Sequence, residues 1–319
     1  MHSIAASSIL VFMSVSSPTM AKENLVIPLV KSTNWDMHYT PDACQLLGVF
    51  GSDAQRVIFR LSREQPSSSF GLELIGQPLK SNGSGTSALI GTLIRQPRQY
   101  SGSDNSVWLQ FGLNGMPFKR YSSSMTISIA GKLLPMVRFS GLRFDETTVQ
   151  IPSQTIDLVA PSQEVTPTQE AEVNAIIFKM DGEKQYRLET GSMASPMAAV
   201  RKCTDDLVKS WGYDLTTEGS LRRRATPVGN PAQWVRSADY PSTAVTQGHN
   251  GLVRFRLDLD TAGLPRGCHV LYRTNPDEFA DLSCALLMQR ARFSPAQDST
   301  GTPVKSFYIS DIRFKVAED

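Results

Sequence analysis

Several things are scarce in this sequence. Of 319 residues only four are cysteine and four histidine. No C-x-x-C pair occurs among Cys44, Cys203, Cys268 and Cys284, which argues against a zinc ribbon or a thioredoxin-like site. His2, His38, His249 and His269 are scattered, with no H-E-x-x-H and no metal-ligand spacing, so no metal and no cofactor is expected. There is no G-x-S-x-G elbow and no P-loop; the glycine-rich "SNGSGTS" lacks the lysine that a phosphate cradle needs. Charge of one sign is missing too. The net charge of +2 gives no case for a nucleic-acid or membrane-surface partner. Long hydrophobic runs are absent: the most apolar stretch, Ile4 to Val15, is too short to span a bilayer.

That same stretch has the length of a signal-peptide core, and Thr19-x-Ala21 has the small residues of a cleavage site. Residues 1–21 are therefore expected to be a secretory signal, so the mature protein is exported. An inner-membrane anchor follows instead if the segment is not cleaved. In an exported chain four cysteines imply two disulfides. A pairing of Cys44 with Cys203 and of Cys268 with Cys284 is expected from the elements that carry them. Four buried thiols are the alternative if residues 1–21 are not a signal.

What the sequence does contain is turns and short apolar runs, with 22 glycines and 19 prolines. From about Asn24 to Ala160 these runs alternate, as in "RVIFRLSRE", where Val57, Phe59 and Leu61 share one face. "FGLELIG", "SALIGTLI", "VWLQFGL" and "SMTISIAGKLL" read the same way, and "AIIFKM" with "QYRLET" reads as a hairpin around Asp181-Gly182. The expectation for residues 22–213 is a mainly β domain, an antiparallel sandwich or barrel-like sheet with one docked helix. That helix is "SPMAAVRKCTDDLVKSWG", with Ser195 as cap and Pro196 in the first position. Met197, Val200, Thr204, Leu207, Val208 and Trp211 fall on its inner face. Residues 214–233, polar and holding Arg222-Arg223-Arg224, read as a linker whose charge run is solvated.

Residues 234–319 read as a small α+β unit of two helices and a three-stranded antiparallel sheet. "YPSTAV" makes a short helix. "GLVRFRLDLDTAG" makes a strand with Val253, Phe255, Leu257 and Leu259 inward and Arg254, Arg256, Asp258 and Asp260 toward water. "RGCHVLYRT" returns with Cys268, Val270 and Tyr272 on one face. Asn275-Pro276-Asp277-Glu278 opens a second helix whose inner face is Leu282, Ala285, Leu286 and Gln289, leading to Phe293. In the last strand Val304, Ser306, Tyr308, Ser310 and Ile312 share one face, with Lys305, Phe307, Ile309, Asp311 and Arg313 on the other. "DTAG" at Asp260 and "DSTG" at Asp298 look superficially like the aspartic-protease triplet, but the extra residue breaks the motif and both suit turns. No catalytic residue is expected.

The order Tyr240-Pro241, Ala244, Gly248, Gly251-x-Val253, Asp260-x-x-Gly263, Arg292-Phe293-x-Pro295-Ala296 and Gly301-x-Pro303-Val304 resembles the TonB carboxy-terminal domain family over about 234–316. Cys268 and Cys284 resemble the cysteines of versions found in some Gram-negative, sphingomonad-like proteins. The preceding region, Trp35 to Cys44 and Cys203 to Asp214, is similar to what precedes the domain there. The resemblance implies a non-enzymatic protein that binds an outer-membrane receptor, or another envelope protein, by β-strand addition. It implies partner contacts at Tyr240, Pro241, Val304, Lys305, Ser306, Phe307, Tyr308 and Ile309. The last strand accounts equally well for a homodimer. The other function considered is a periplasmic enzyme or a peptidoglycan- or carbohydrate-binding protein, with its site in the amino-terminal domain and the module as adaptor. The chain differs from energy transducers in lacking a long proline-rich arm.

Overall fold

The computed structural model describes residues 25–80, 105–145, 164–180, 184–214, 219–274 and 278–316. The expected signal, the "SALIGTLI" strand, the Asp181-Gly182 turn and the Asn275 cap lie outside these residues.

The alternating runs of the amino-terminal part become ten strands. They are β1 (Val26–Val30), β2 (Asp36–Tyr39), β3 (Cys44–Phe50), β4 (Val57–Arg63), β5 (Phe70–Ile75), β6 (Asn105–Phe111), β7 (Phe118–Ile129), β8 (Lys132–Leu142), β9 (Ile176–Lys179) and β10 (Gln185–Glu189). They form one sheet in the order β1-β10-β9-β6-β7-β8-β5-β4-β3-β2. The ladders are antiparallel except β1 with β10, which is parallel. β1 enters the sheet without a hairpin, so no tight turn dictates its direction. The sheet curls until β1 approaches β3. Gly51 N–H donates to the Val30 carbonyl and Ser32 N–H to that of Val49, both at 2.8 Å, and Lys31 bridges Phe50. The mainly β, mainly antiparallel expectation is met by one open ten-stranded sheet with β1 and β2 at its ends. Val57, Phe59 and Leu61 are wholly buried on its inner face, as their alternation predicts.

Among the described residues a second, short helix packs on the expected one. α1 (Pro167–Glu172) is a single capped turn in which Thr166 and Gln169 make a reciprocal capping box. Six residues are too few for a helical period to show in sequence. α2 (Ala194–Ser210) starts earlier than expected, with Met193 as its N-cap residue and no side-chain cap from Ser195. Pro196 is tolerated because backbone N–H groups of the first turn have no partner within the helix. Its inner face is the expected one, Met197, Val200, Thr204, Leu207 and Val208, with Cys203 among them. The Cys44–Cys203 disulfide, Cα to Cα 6.0 Å, joins α2 to β3.

The carboxy-terminal part contains β11 (Thr226–Pro227), α3 (Ser242–Thr246), β12 (Gly251–Leu259), β13 (Pro265–Arg273), α4 (Glu278–Arg290), β14 (Phe293–Ser294), β15 (Ala296–Gln297), β16 (Pro303–Val304) and β17 (Ser306–Phe314). Its main sheet is antiparallel in the order β13-β12-β17, as the sequence predicts. Within the polar stretch 214–233, β11 pairs with β14 and Arg223 bridges Gln297. Cys268 and Cys284 are bonded, stapling β13 to α4 with Cα to Cα 5.6 Å.

Three details of this part differ from expectation. Tyr272 leaves the face of Cys268 and Val270, because a bulge between Arg254 and Phe255 sets Tyr272 opposite Arg254. The inner face of α4 is Phe279, Ala280, Ser283, Leu286 and Leu287, while Ala285 and Gln289 are exposed. The helix is turned by Phe279, whose ring stacks on Phe314 with centroids 4.3 Å apart and would meet any side chain at Gly251. Most consequentially, the charged face of β12 does not face water: Arg256 is only 4 % exposed and Arg254 and Asp258 are half-buried. The amino-terminal part covers them. An alternating pattern shows that the two faces of a strand differ, not that the polar one is wet. Arginine stems pack on aromatic rings readily.

Candidate functional site: an open sheet edge

The site is assembled on β17. Its core side is fixed by registry with β12, where Tyr308 opposes Leu257, Ser310 opposes Phe255 and Ile312 opposes Val253. Tyr308 packs among Trp234, Phe255 and Phe293, with the Phe293 centroid 4.9 Å away. On its other side, among the described residues, β17 pairs with no strand. Nine residues of backbone thus end the sheet along one edge.

The residues singled out from sequence are spread along this edge. Val304 belongs to the β15–β16 ladder, opposite Ala296, and the exposed Lys305 joins that ladder to β17. Ser306 is buried opposite Leu259, and Phe307, Tyr308 and Ile309 follow it. Tyr240 and Pro241 lie at the far end, where Tyr240 sits edge-on to Phe279 and Phe314 with centroids 5.5 and 5.6 Å away. Its hydroxyl donates to the His249 carbonyl at 2.5 Å, and burial raises its pKa. The structure does not gather these residues at one point. It sets two groups at opposite ends of a strand roughly 30 Å long at ~3.3 Å per residue.

Behind Tyr240, Arg290 at the end of α4 donates to both oxygens of Asp239, at 2.5 and 2.9 Å, and to the Trp234 carbonyl. The Arg290 guanidinium, with the Arg236 backbone N–H, holds the Asp239 carboxyl down to about 2. Asp260 and Asp298 are turn residues. Asp260 accepts from the N–H groups of Leu264 and Ala262 and pairs with Arg266. Asp298 accepts from the Thr300 hydroxyl and from the N–H groups of Thr300 and Thr302. The Leu264 N–H leads in lowering the one pKa and the Thr300 hydroxyl in lowering the other. Both carboxylates fasten turns, which is where the sequence placed them.

Sequence reasoning missed the contacts on the other face of the sheet. The Arg256 guanidinium lies 3.8 Å from the Trp211 ring centroid. Tyr213 donates to Asp258 and to the Ser306 carbonyl, each at 3.0 Å. Phe307 meets Trp211 and Tyr213 at 5.5 and 5.1 Å between centroids. Arg254 pairs with Asp311 at 2.9 Å and with Glu64, from β4's end, at 3.3 Å. The signal available was the aromatic pair Trp211 and Tyr213 just after α2, together with arginines alternating on β12.

A three-stranded antiparallel sheet backed by helices, whose two outer strands β13 and β17 have no partner on their outer sides among the described residues, defines a small module that presents sheet edges. Residues 236–316 match the family model described as Gram-negative bacterial TonB protein C-terminal. The carboxy-terminal module, about a quarter of the 319 residues, is a domain of that family. No curated protein matches the chain. Among the described residues no helix is long and apolar enough to cross a membrane.

Proposed function

We propose that this protein is a TonB-like binding protein of the periplasm. It captures an extended segment of an envelope partner, of the TonB-box type borne by outer-membrane receptors, as a further strand beside β17. The observation that carries this reading is the nine-residue outer edge of β17 in a module of the TonB carboxy-terminal family. Unpaired backbone groups supply affinity there and alternate side chains supply selectivity. A segment running the length of β17 reaches Lys305 to Ile309 at one end and the Tyr240-Pro241 corner at the other. In this reading residues 22–213 form the domain that carries the module, 214–233 connect the two and 234–319 bind. The protein acts by binding and not by catalysis.

The test is a titration of the full chain with TonB-box-type peptides, followed by backbone NMR shifts and amide exchange. The expected result is saturable shifts and slowed exchange confined to 304–316 and to Tyr240. No change there at about 1 mM peptide, a concentration that detects binding of only ~4 kcal/mol, would sink the reading. Changes that follow protein concentration instead of peptide would assign the edge to a homodimer.

A further inference from the structure

A cavity of about 430 Å³ opens in the amino-terminal part, where the chain between β1 and β2 passes the start of α2. Its size falls within the ~300–1,000 Å³ of small-molecule sites. Trp35, Met37 and Leu46 form one wall, and Ser195, Pro196 and Ala199 of α2 form the other. The Cys44–Cys203 disulfide ties the walls together, in the same strand as Leu46 and one helical turn beyond Ala199. Trp35 is fixed in place. Its ring lies where Gly48 has no side chain, 2.7 Å from the position of a Cβ there, and it meets Phe50 and Phe59 edge-on.

Three polar features of this cavity are left open. Lys31 is the one charged residue that lines it among the described residues, and no carboxylate does. The Lys31 ammonium lies 4.9 Å from the Trp35 ring centroid and makes no ion pair among the described residues. Thr190 lines the cavity too and is 2 % exposed; its N–H donates to the Leu188 carbonyl, but its Oγ1 has no hydrogen-bond partner. A buried hydroxyl in a native fold is ordinarily paired, so one left open beside a cavity points to a partner from outside. The third feature is the start of α2. Its N-cap residue, Met193, has no side-chain oxygen, the Ala194 N–H reaches only the Ser192 hydroxyl at 3.4 Å, and Pro196 has no N–H. The Ser195 N–H and hydroxyl are therefore open at the positive end of a helix of 17 residues.

We propose that this cavity binds a small organic carboxylate with an apolar body. The carboxylate is met by Lys31, the Thr190 hydroxyl and the first turn of α2, and the apolar part lies on Trp35, Met37 and Ala199. An ammonium and an open helix start both favour negative charge, and charge-assisted hydrogen bonds from them outweigh neutral ones. The indole and its apolar neighbours supply the buried area. With a single cation in the wall, the site suits one carboxylate and not a multiply charged anion. A short free acid and the carboxy terminus of a peptide share this chemistry. The cavity involves no residue of the carboxy-terminal module, so it stands or falls independently of strand addition at β17.

The experiment uses the full oxidised chain, titrated separately with hexanoate, a short free acid, and with N-acetylleucine, which carries the carboxy terminus of a peptide. The Trp35 indole N–H and Ser195 amide resonances are followed. The expected result is a saturable shift of both with at least one acid. The matching amide, hexanamide or N-acetylleucinamide, should bind about tenfold or more weakly, the scale of one lost charged hydrogen bond. Saturation by hexanoate alone assigns a free acid, and by N-acetylleucine alone a peptide end. Lys31→Gln weakens binding by a similar factor, and Ala199→Leu, which fills the cavity with another good helix former, abolishes it. Lys132→Gln, at an exposed position outside the cavity, leaves it unchanged. Absence of saturation in the unmodified protein by about 10 mM of both acids, ten times a Kd of ~1 mM, overturns the proposal whatever the variants do. Equal binding of acid and amide overturns it as well. So does unchanged affinity in a folded Lys31→Gln protein, since a lysine that only covers Trp35 changes stability without changing the preference for the acid.

Discussion

Asp239 ties the turn that leads into Tyr240 to the end of α4, through two bonds from Arg290 and one from the Arg236 N–H. Its carboxyl titrates at about 2 in the folded protein, below the ordinary aspartate value of ~3.9. The sign follows from linkage. A depressed folded-state pKa contributes stability that is complete above about pH 4 and is lost as pH falls toward 2. Titration of the Asp239 side-chain carbon by NMR should give a midpoint near 2, and signals of the Tyr240, Phe279 and Phe314 rings should broaden only below it. In Asp239→Asn that acid step should vanish while the neutral-pH fold persists. A midpoint at the ordinary value would show that Arg290 does not hold the carboxylate in solution.

Each disulfide joins a helix to a sheet, and the two differ in burial. Cys44 and Cys203 are almost inaccessible, whereas Cys268 and Cys284 are half-buried. Mild reductant should therefore open Cys268–Cys284 first, read by alkylation and peptide mapping; the reverse order would contradict the burial. On a chain-entropy basis, loss of the short-loop bridge destabilises by about 3 kcal/mol and of the long-loop bridge by about 5, so a Cys268→Ser, Cys284→Ser protein should still fold with a lower midpoint. These bridges were legible in sequence because helix and strand patterns located all four cysteines. The three-stranded sheet and the two faces of β17 were legible for the same reason, as period-2 alternation is a local property. The Leu271 bulge that turns Tyr272 round, and the rotation of α4 onto Phe279, were not. Both depend on which neighbour a residue meets across the sheet. The edge itself could be named from its residues, but Val304 and Tyr240 were placed together by resemblance, while pairing sets them at opposite ends of β17. Arg63 continues the inward series of Val57, Phe59 and Leu61, so its burial follows from the same alternation although its charge alone would place it in water.

At the scale of the whole molecule, the module is not a bead on a string, because the face of its sheet away from α4 rests on the amino-terminal part. Trp211 connects the two, donating its indole N–H to the Pro41 carbonyl while stacking on Arg256 and meeting Phe307. Tyr213 reaches the Ser306 carbonyl, at the start of the same strand that presents the open edge. Order along that edge is therefore set in part from outside the module. A desolvated cation–π contact with its aromatic neighbours contributes about 2 kcal/mol, enough to shift a local opening equilibrium roughly thirtyfold. Trp211→Ala combined with Tyr213→Phe should accordingly speed amide exchange at residues 254–258 and 306–309 by about that factor. Exchange in β4 and β5, held inside the curled sheet, should stay unchanged. If the edge binds as proposed, the same variant should bind a TonB-box-type peptide more weakly, because the strand must first be ordered without its outside support. Unaltered exchange at 306–309 would mean that the module holds its edge alone and that the docked face serves only to position it.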